Sequence, residues 1–298
     1  DRRCRFRQCV AYWDGEEIRL FSSETAGSVA QALRGGDRPE QKSPLWRLFI
    51  PDGAEKTTAE FTQEELNAIE LLMGRFGDGM IFVSFNFNEE NVSAIRRCGY
   101  PVVTTNPYES KEAPNNFDCV YVDHIRAMRL ATDHLIQQGH KNIAMVVGPL
   151  TEQTGSERAQ GYREAMTQAG LEVKKENIFV GDYTKASGEK AGLGILDSKQ
   201  RITGVVCAND LMAMGVMAAC SSRGVKIPEN LALVSLDNTD YATSVHPQLT
   251  SVDMMQYAIG ENAATLLLER MEEKRKYVKN IRLEPRLIVR TSSVGTKL

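Results

Sequence analysis

The apolar positions of this 298-residue chain change their spacing from one segment to the next. Thr62 and Glu65 form a capping box, Phe61 and Leu66 are placed as its hydrophobic staple, and Leu66, Ile69, Leu72 and Met73 recur at helical spacing behind it. From there short apolar runs and amphipathic stretches take turns. Strands are predicted at 80–84, 101–105 and 119–122, with a helix at about 89–98. Asp123 is placed to cap a helix whose inward stripe is Ile125, Met128, Ala131, Leu135 and Ile136, and Gly139 is placed to end it in the left-handed conformation. Further strands are predicted at 143–147, 177–180, 204–208 and 231–236, and helices at about 157–169, 187–197 and 210–223, the last stopped by Gly224. The stretch 250–253 leads into a long helix at about 254–273, and strands at about 279–284 and 286–290 finish the pattern. Alternation of this kind predicts an α/β fold, with parallel sheets flanked by helices and ligands held beyond the carboxyl ends of the strands.

The first 61 residues follow a different rhythm. Two strand-like runs, 5–12 and 17–22, flank Trp13-Asp14-Gly15, and an Asp-Gly pair between such runs is a hairpin signal. Phe6, Val10 and Tyr12 share one face of the first run, interrupted by Gln8. Residues 32–43 are polar and read as a loop, and 45–50 form a short strand stopped by Pro51-Asp52-Gly53.

Composition narrows the classes of function. A net charge of −3 predicts no general attraction to nucleic acid or to an anionic membrane. The cluster Arg2, Arg3, Arg5 and Arg7 reads as a charged edge strand. No apolar run approaches the roughly 20 residues of a membrane helix, and no signal-peptide pattern opens the chain. The six cysteines form no CxxC, so buried reduced thiols in a cytoplasmic protein are expected. The histidines His124, His134, His140 and His246 show no ligand spacing with them, so no metal and no cofactor is expected. There is no GxSxG elbow, P-loop or HExxH, and no catalytic set emerges.

The run 123–140 (DHIRAMRLATDHLIQQGH) is followed by Arg158, Ala208-Asn209-Asp210, Pro228, Pro247-Gln248-Leu249-Thr250 and Pro285-Arg286-Leu287-Ile288-Val289-Arg290. In that order and at those distances the chain, over about 62–293, resembles the ligand-binding domain of LacI/GalR-type transcription regulators. The resemblance implies a two-lobed, periplasmic-binding-protein-like fold that binds a small polar molecule, sugar or purine-like, and does no chemistry. It implies a homodimer and three crossover strands, expected near 121–123, 250–253 and 275–279. The first lobe would then be 1–121 plus 253–276, with 1–61 atypical, and the second 122–250 plus 277–298.

The resemblance also names site residues. Arg158 would be a donor fork aimed across the cleft, against its plain reading as a solvated helix charge. Asp210 would cap a helix and project into the cleft as an acceptor, although a plain cap needs no ligand. Tyr183 would stack on a flat ligand face or else pack in the core. Asn209, Asp237 and, at the first crossover, Asp123 complete the set.

Residues 4–61 carry Cys4-Arg5-Phe6, Glu16-Glu17-Ile18-Arg19-Leu20-Phe21, Ala32-Leu33-Arg34-Gly35, and Phe49-Ile50-Pro51-Asp52-Gly53 through Ala59-Glu60-Phe61. On these residues the segment resembles a middle slice of the inosine triphosphate pyrophosphatase family. That family's phosphate-binding Ser/Thr and Lys and its Ser-His-Arg motif have no counterpart here, so the chain reads as a chimera with no assignable hydrolysis. The alternatives are a pyrophosphatase-derived enzyme or a chimera that binds nothing. No helix-turn-helix precedes residue 62, so direct DNA binding by this chain is not expected.

Overall fold

The structure is a computed structural model that describes residues 3–13, 18–29, 49–51, 79–83, 101–107 and 117–294. The expected helix from Thr62, the helix at 89–98 and the loop at 32–43 lie outside the described residues. The chain divides into two compact units, Asp1–Asp78 with Ala94–Gly99, and Gly79–Ser93 with Tyr100–Leu298.

In the first unit, β1 (Arg3–Trp13) and β2 (Ile18–Val29) form an antiparallel pair running from Arg3↔Ser28 to Trp13↔Ile18. Both strands are longer than the alternation predicts. The expected turn at Asp14-Gly15 lies outside the described residues. The short β3 (Phe49–Pro51) pairs antiparallel with the far end of β2, making a three-stranded sheet.

The second unit holds two sheets. The first orders its strands β12-β6-β5-β4, with β4 (Met80–Phe82), β5 (Val102–Thr104), β6 (Asp118–Val122) and β12 (Asn280–Leu283) all parallel. The second is six-stranded in the order β13-β11-β10-β9-β7-β8. Its members are β7 (Ile143–Val147), β8 (Ile178–Val180), β9 (Gly204–Cys207), β10 (Ala232–Asp237), β11 (Thr250–Asp253) and the antiparallel edge strand β13 (Arg286–Ile288). β7 and β9 are buried along their whole length. That explains their continuous apolar runs: a parallel strand covered on both faces has no polar side to alternate with.

The described helices are α1 (His124–Gln137), α2 (Gln153–Gln168), α3 (Lys185–Leu196), α4 (Asp210–Ser222), the short α5 (Asp240–Ser244) and α6 (Gln256–Met271). α1 starts where its cap is read, with Asp123 accepting from the Arg126 amide at 2.9 Å, and Gly139 (φ 92°) and Gly224 (φ 65°) end their helices in the left-handed region. α2 starts earlier than predicted, because its first turn carries no apolar stripe. α3 and α4 touch backbone to backbone, since a Cβ at Gly188 would overlap the Met212 carbonyl and one at Gly215 the Lys185 carbonyl. Among the described residues no helix is long and apolar enough to cross a membrane. Cys119, Cys207 and Cys220 are buried and free.

The chain passes between the two sheets of this unit three times. It leaves β6 for α1 at Asp123, and leaves β11 for α6 after Asp253; both places are as expected. The third passage corrects the expectation. β12 pairs with β6 from Asn280↔Cys119 to Leu283↔Val122, so the return falls at Glu284-Pro285, past the predicted 275–279. The cause is a buried clasp ahead of β12. Asp118 takes Arg275 in a bidentate pair at 2.8 and 2.6 Å and accepts from the Lys279 amide at 2.7 Å, which feeds the next residues onto β6.

Candidate functional site

In the six-stranded sheet, the chain runs outward from β7 to β8 and then returns to lay β9 on the other side of β7. Such a reversal opens a crevice at the carboxyl ends of the two central strands. Four of the residues named from the sequence gather there: Arg158, Tyr183, Asn209 and Asp237.

Arg158 is the hub. It projects from α2, is 5% exposed, and donates from Nη1 to the Ala208 carbonyl just past β9 at 2.7 Å. Nη2 faces two groups, His124 Nδ1 at 3.4 Å and Asp237 Oδ1 at 3.9 Å. The Tyr183 ring centre lies 5.9 Å from the guanidinium carbon. Nε is buried with no hydrogen-bond partner. A guanidinium so deeply placed is therefore fixed in direction by one backbone carbonyl and left with unspent donor capacity.

Tyr183 follows β8 and packs its ring on Gly148, where a Cβ would overlap it. Its hydroxyl lies 3.2 Å from Thr154 Oγ1, and its carbonyl accepts from Asn209 Nδ2 at 2.9 Å. Burial raises its phenol pKa. Asn209 is the N-cap of α4, with Oδ1 accepting from the Met212 amide at 2.9 Å. Its side chain is thus spent on shape, holding Tyr183 and the helix start together.

Asp237 closes β10 with φ 104°, Asn238 follows at 51°, and Tyr183 itself stands at 66°. Side-chain-bearing residues rarely adopt these angles, and each costs about 1–3 kcal/mol. Two such residues, Tyr183 and Asp237, stand beside Arg158 and mark a place where the surrounding structure enforces direction. Burial pushes the Asp237 carboxyl up to about 6, against the pull of the Arg158 charge and with the help of Asp210. An acid whose folded pKa is raised binds more protons folded than unfolded, so its contribution to stability falls as pH rises from about 4 through about 6. Asp237→Asn behaves as permanently protonated. Urea melts from pH 4 to 7.5 are therefore expected to show the variant gaining on the wild type across that window and holding a constant offset above it.

Asp210 does not project into the crevice, and this corrects the expectation. It is 1% exposed and every acceptor direction is used within the protein. Oδ1 accepts from Ser235 Oγ at 2.5 Å and Ser251 Oγ at 2.8 Å; Oδ2 accepts from the Thr239 amide at 2.7 Å and Thr239 Oγ1 at 2.8 Å. The reason lies in sheet register. Ser235 and Ser251 are direct neighbours on β10 and β11, so two hydroxyls rise side by side under the start of α4. The acceptor beside Arg158 is Asp237, not Asp210. Asp123 lies at the edge of the crevice, tied by Oδ2 to Arg282 at 3.0 Å, so it links the first crossover to β12.

Sequence reasoning passed over His124, the first residue of α1. The residue is half-buried, and burial together with the Arg158 charge holds its pKa down to about 3. A signal was available in its position directly behind Asp123 at a crossover. Gln153 at the start of α2 adds a link to the other sheet, reaching the Pro107 carbonyl beyond β5 at 3.5 Å.

Residues 132–293 match the periplasmic binding protein-like domain family. Catabolite control protein A of Priestia megaterium is 36% identical over 231 residues, 77% of this chain and 69% of that protein. The HTH-type transcriptional repressor PurR of Proteus mirabilis is 33% identical over 72% of this chain, which spans 63% of the repressor's length. Among solved structures, the transcriptional regulator CelR–cellobiose complex superposes with a TM-score of 0.70 at 31% identity, over 77% of this chain and 69% of that one. A regulatory protein of the LacI family from Chloroflexus aggregans does so with a TM-score of 0.69 at 30% identity, over 78% and 84%. The chain belongs to the periplasmic binding protein-like domain family, in the branch carried by LacI-type transcription regulators.

Proposed function

We propose that this chain is the effector-sensing part of a LacI-type regulator and that its crevice binds a small, neutral, polar molecule such as a sugar or a purine. The observation that carries the reading is the convergence of Arg158, Asp237 and Tyr183 at the switch point of the six-stranded sheet. Together they offer donors, an acceptor and an aromatic face. A hydroxylated ring or a purine can use all three at once, with its polar edges on the first two and its flat face near the third. The relation to the CelR–cellobiose complex supports a sugar, and the relation to PurR-type repressors keeps purines in the panel.

Binding here would act on the three passages at Asp123, Asp253 and Glu284, because they are the covalent links between the two sheets of this unit. A ligand gripped from both sides favours one setting of those links over another, and only that difference in affinity transmits a signal. A homodimer belongs to the same proposal, and sedimentation velocity reads it directly.

The second reading is a pyrophosphatase relic, carried by the antiparallel sheet β1–β2–β3 on residues that resemble that family. One experiment separates the two. Thermal unfolding is followed with cellobiose, D-ribose, hypoxanthine, adenosine and inosine triphosphate with Mg²⁺. A ligand that binds only the folded state stabilises it by about 2.7 kcal/mol at a hundredfold excess over Kd. A shift with a sugar or base, abolished in Arg158→Met, is the expected result. A shift confined to the triphosphate, with EDTA-sensitive release of pyrophosphate, would transfer the assignment to the enzyme.

A further inference from the structure

His124 occupies a position that the residues named from the sequence leave unassigned. It is the first residue after the β6 crossover, and its imidazole stands against the guanidinium at the centre of the crevice. An arginine offers only donors, so the nitrogen that meets Nη2 at 3.4 Å, Nδ1, must carry the lone pair. The ring proton then sits on Nε2. The ring stays neutral at any ordinary pH, because burial and the adjacent positive charge both resist a second proton. Nε2 has no hydrogen-bond partner among the described residues, and His124 as a whole is half-buried.

The surrounding groups make that donor useful. Arg158 Nη1 is committed to the Ala208 carbonyl, and Nη2 is shared between His124 and Asp237. Asn209 is committed at both ends of its amide, and the Tyr183 hydroxyl is paired with Thr154. A molecule entering the crevice therefore meets few uncommitted polar atoms, and the His124 Nε2–H is one of them.

We propose that His124 is a ligand-contacting, specificity-determining residue whose Nε2–H donates to an oxygen of the bound molecule beside Arg158. This rests on the effector-site reading. The inferred ligand presents adjacent oxygens, as a vicinal diol does, so that one faces the guanidinium and the next the imidazole.

The test compares wild type with His124→Phe, which keeps a flat ring and removes both nitrogens, and His124→Gln, which keeps an amide donor at similar reach. Titration calorimetry is run with cellobiose, D-ribose and hypoxanthine. For a probe that the wild type binds, His124→Phe is expected to weaken binding about tenfold or more, and His124→Gln to recover most of the loss. Both variants should keep the wild-type melting midpoint without ligand. A probe bound equally by wild type and His124→Phe overturns this inference and leaves the effector site standing. No response of the wild type to any of the three overturns both. Nitrogen-15 NMR of the imidazole gives a readout that packing would not move. The neutral Nε2–H form from pH 5 to 8 is expected, and a proton on Nδ1 would overturn the assignment.

Discussion

Asp210→Ala is expected to cost about 3–5 kcal/mol of stability, the range for removing one partner from a buried, charge-assisted network. The substitution deletes an acceptor that serves Ser235, Ser251 and Thr239 through four hydrogen bonds, and it leaves those donors buried together. It also removes a carboxylate from the first turn of α4, where the helix dipole favours negative charge. Urea unfolding measures the loss. Asp210→Asn should recover part of it, since an amide oxygen still accepts while its NH₂ faces a donor. A variant of unchanged stability that no longer bound effector would return Asp210 to the ligand-contacting role that its sequence neighbours suggest.

Asp118→Ala should be as damaging for a different reason. Arg275 is only 4% exposed along its side chain and is held by both Asp118 oxygens, with Glu269 Oε2 on its Nε at 2.9 Å. Removing the aspartate leaves a buried guanidinium that cannot lose its proton with Glu269 as its remaining carboxylate partner, and a loss of up to about 3–5 kcal/mol is expected. The damage should be local as well as global. The Lys279 amide loses its acceptor, and β12 is seeded on β6 at that point. Hydrogen exchange is therefore expected to rise most across 276–283. Uniform loss of protection over the six-stranded sheet, with 276–283 no worse than the rest, would show that the clasp does not direct the crossover.

The two buried aspartates explain where legibility ended. The strand-helix alternation, the caps at Asp123 and Gly139 and the fully apolar β7 and β9 could be read because each depends on residues within a few positions of one another. Hydrogen bonds to the next turn and burial of a whole strand leave a periodic trace. Arg158, Tyr183, Asn209 and Asp237 were named by the resemblance to LacI/GalR-type regulators, and the fold gathers them at the carboxyl end of the six-stranded sheet. Their division of labour was not legible. Asp210 and Asp237 look alike in sequence, each at the end of an apolar run. Strand register alone places Ser235 beside Ser251 and so draws Asp210 inward, leaving Asp237 to face Arg158.

The third crossover failed for the same reason. The resemblance to LacI/GalR-type regulators placed that passage near 275–279, but the partner that decides it, Asp118, lies 157 residues away from Arg275. His124 shows the limit from the other side: its place behind the Asp123 crossover was its one local signal, and the contact that matters, with Arg158, spans 34 positions.

Residues close together in sequence determined that this chain alternates strands and helices, and which residues start and stop them. These properties follow from short-range hydrogen bonding and from apolar faces that must be covered. Tertiary structure decided which carboxylate is a strut and which faces the crevice, where the chain last crosses between sheets, and which histidine joins the arginine. Those outcomes depend on which buried polar groups find partners across strands and helices, and a buried charge accepts whatever partner the packing brings within reach.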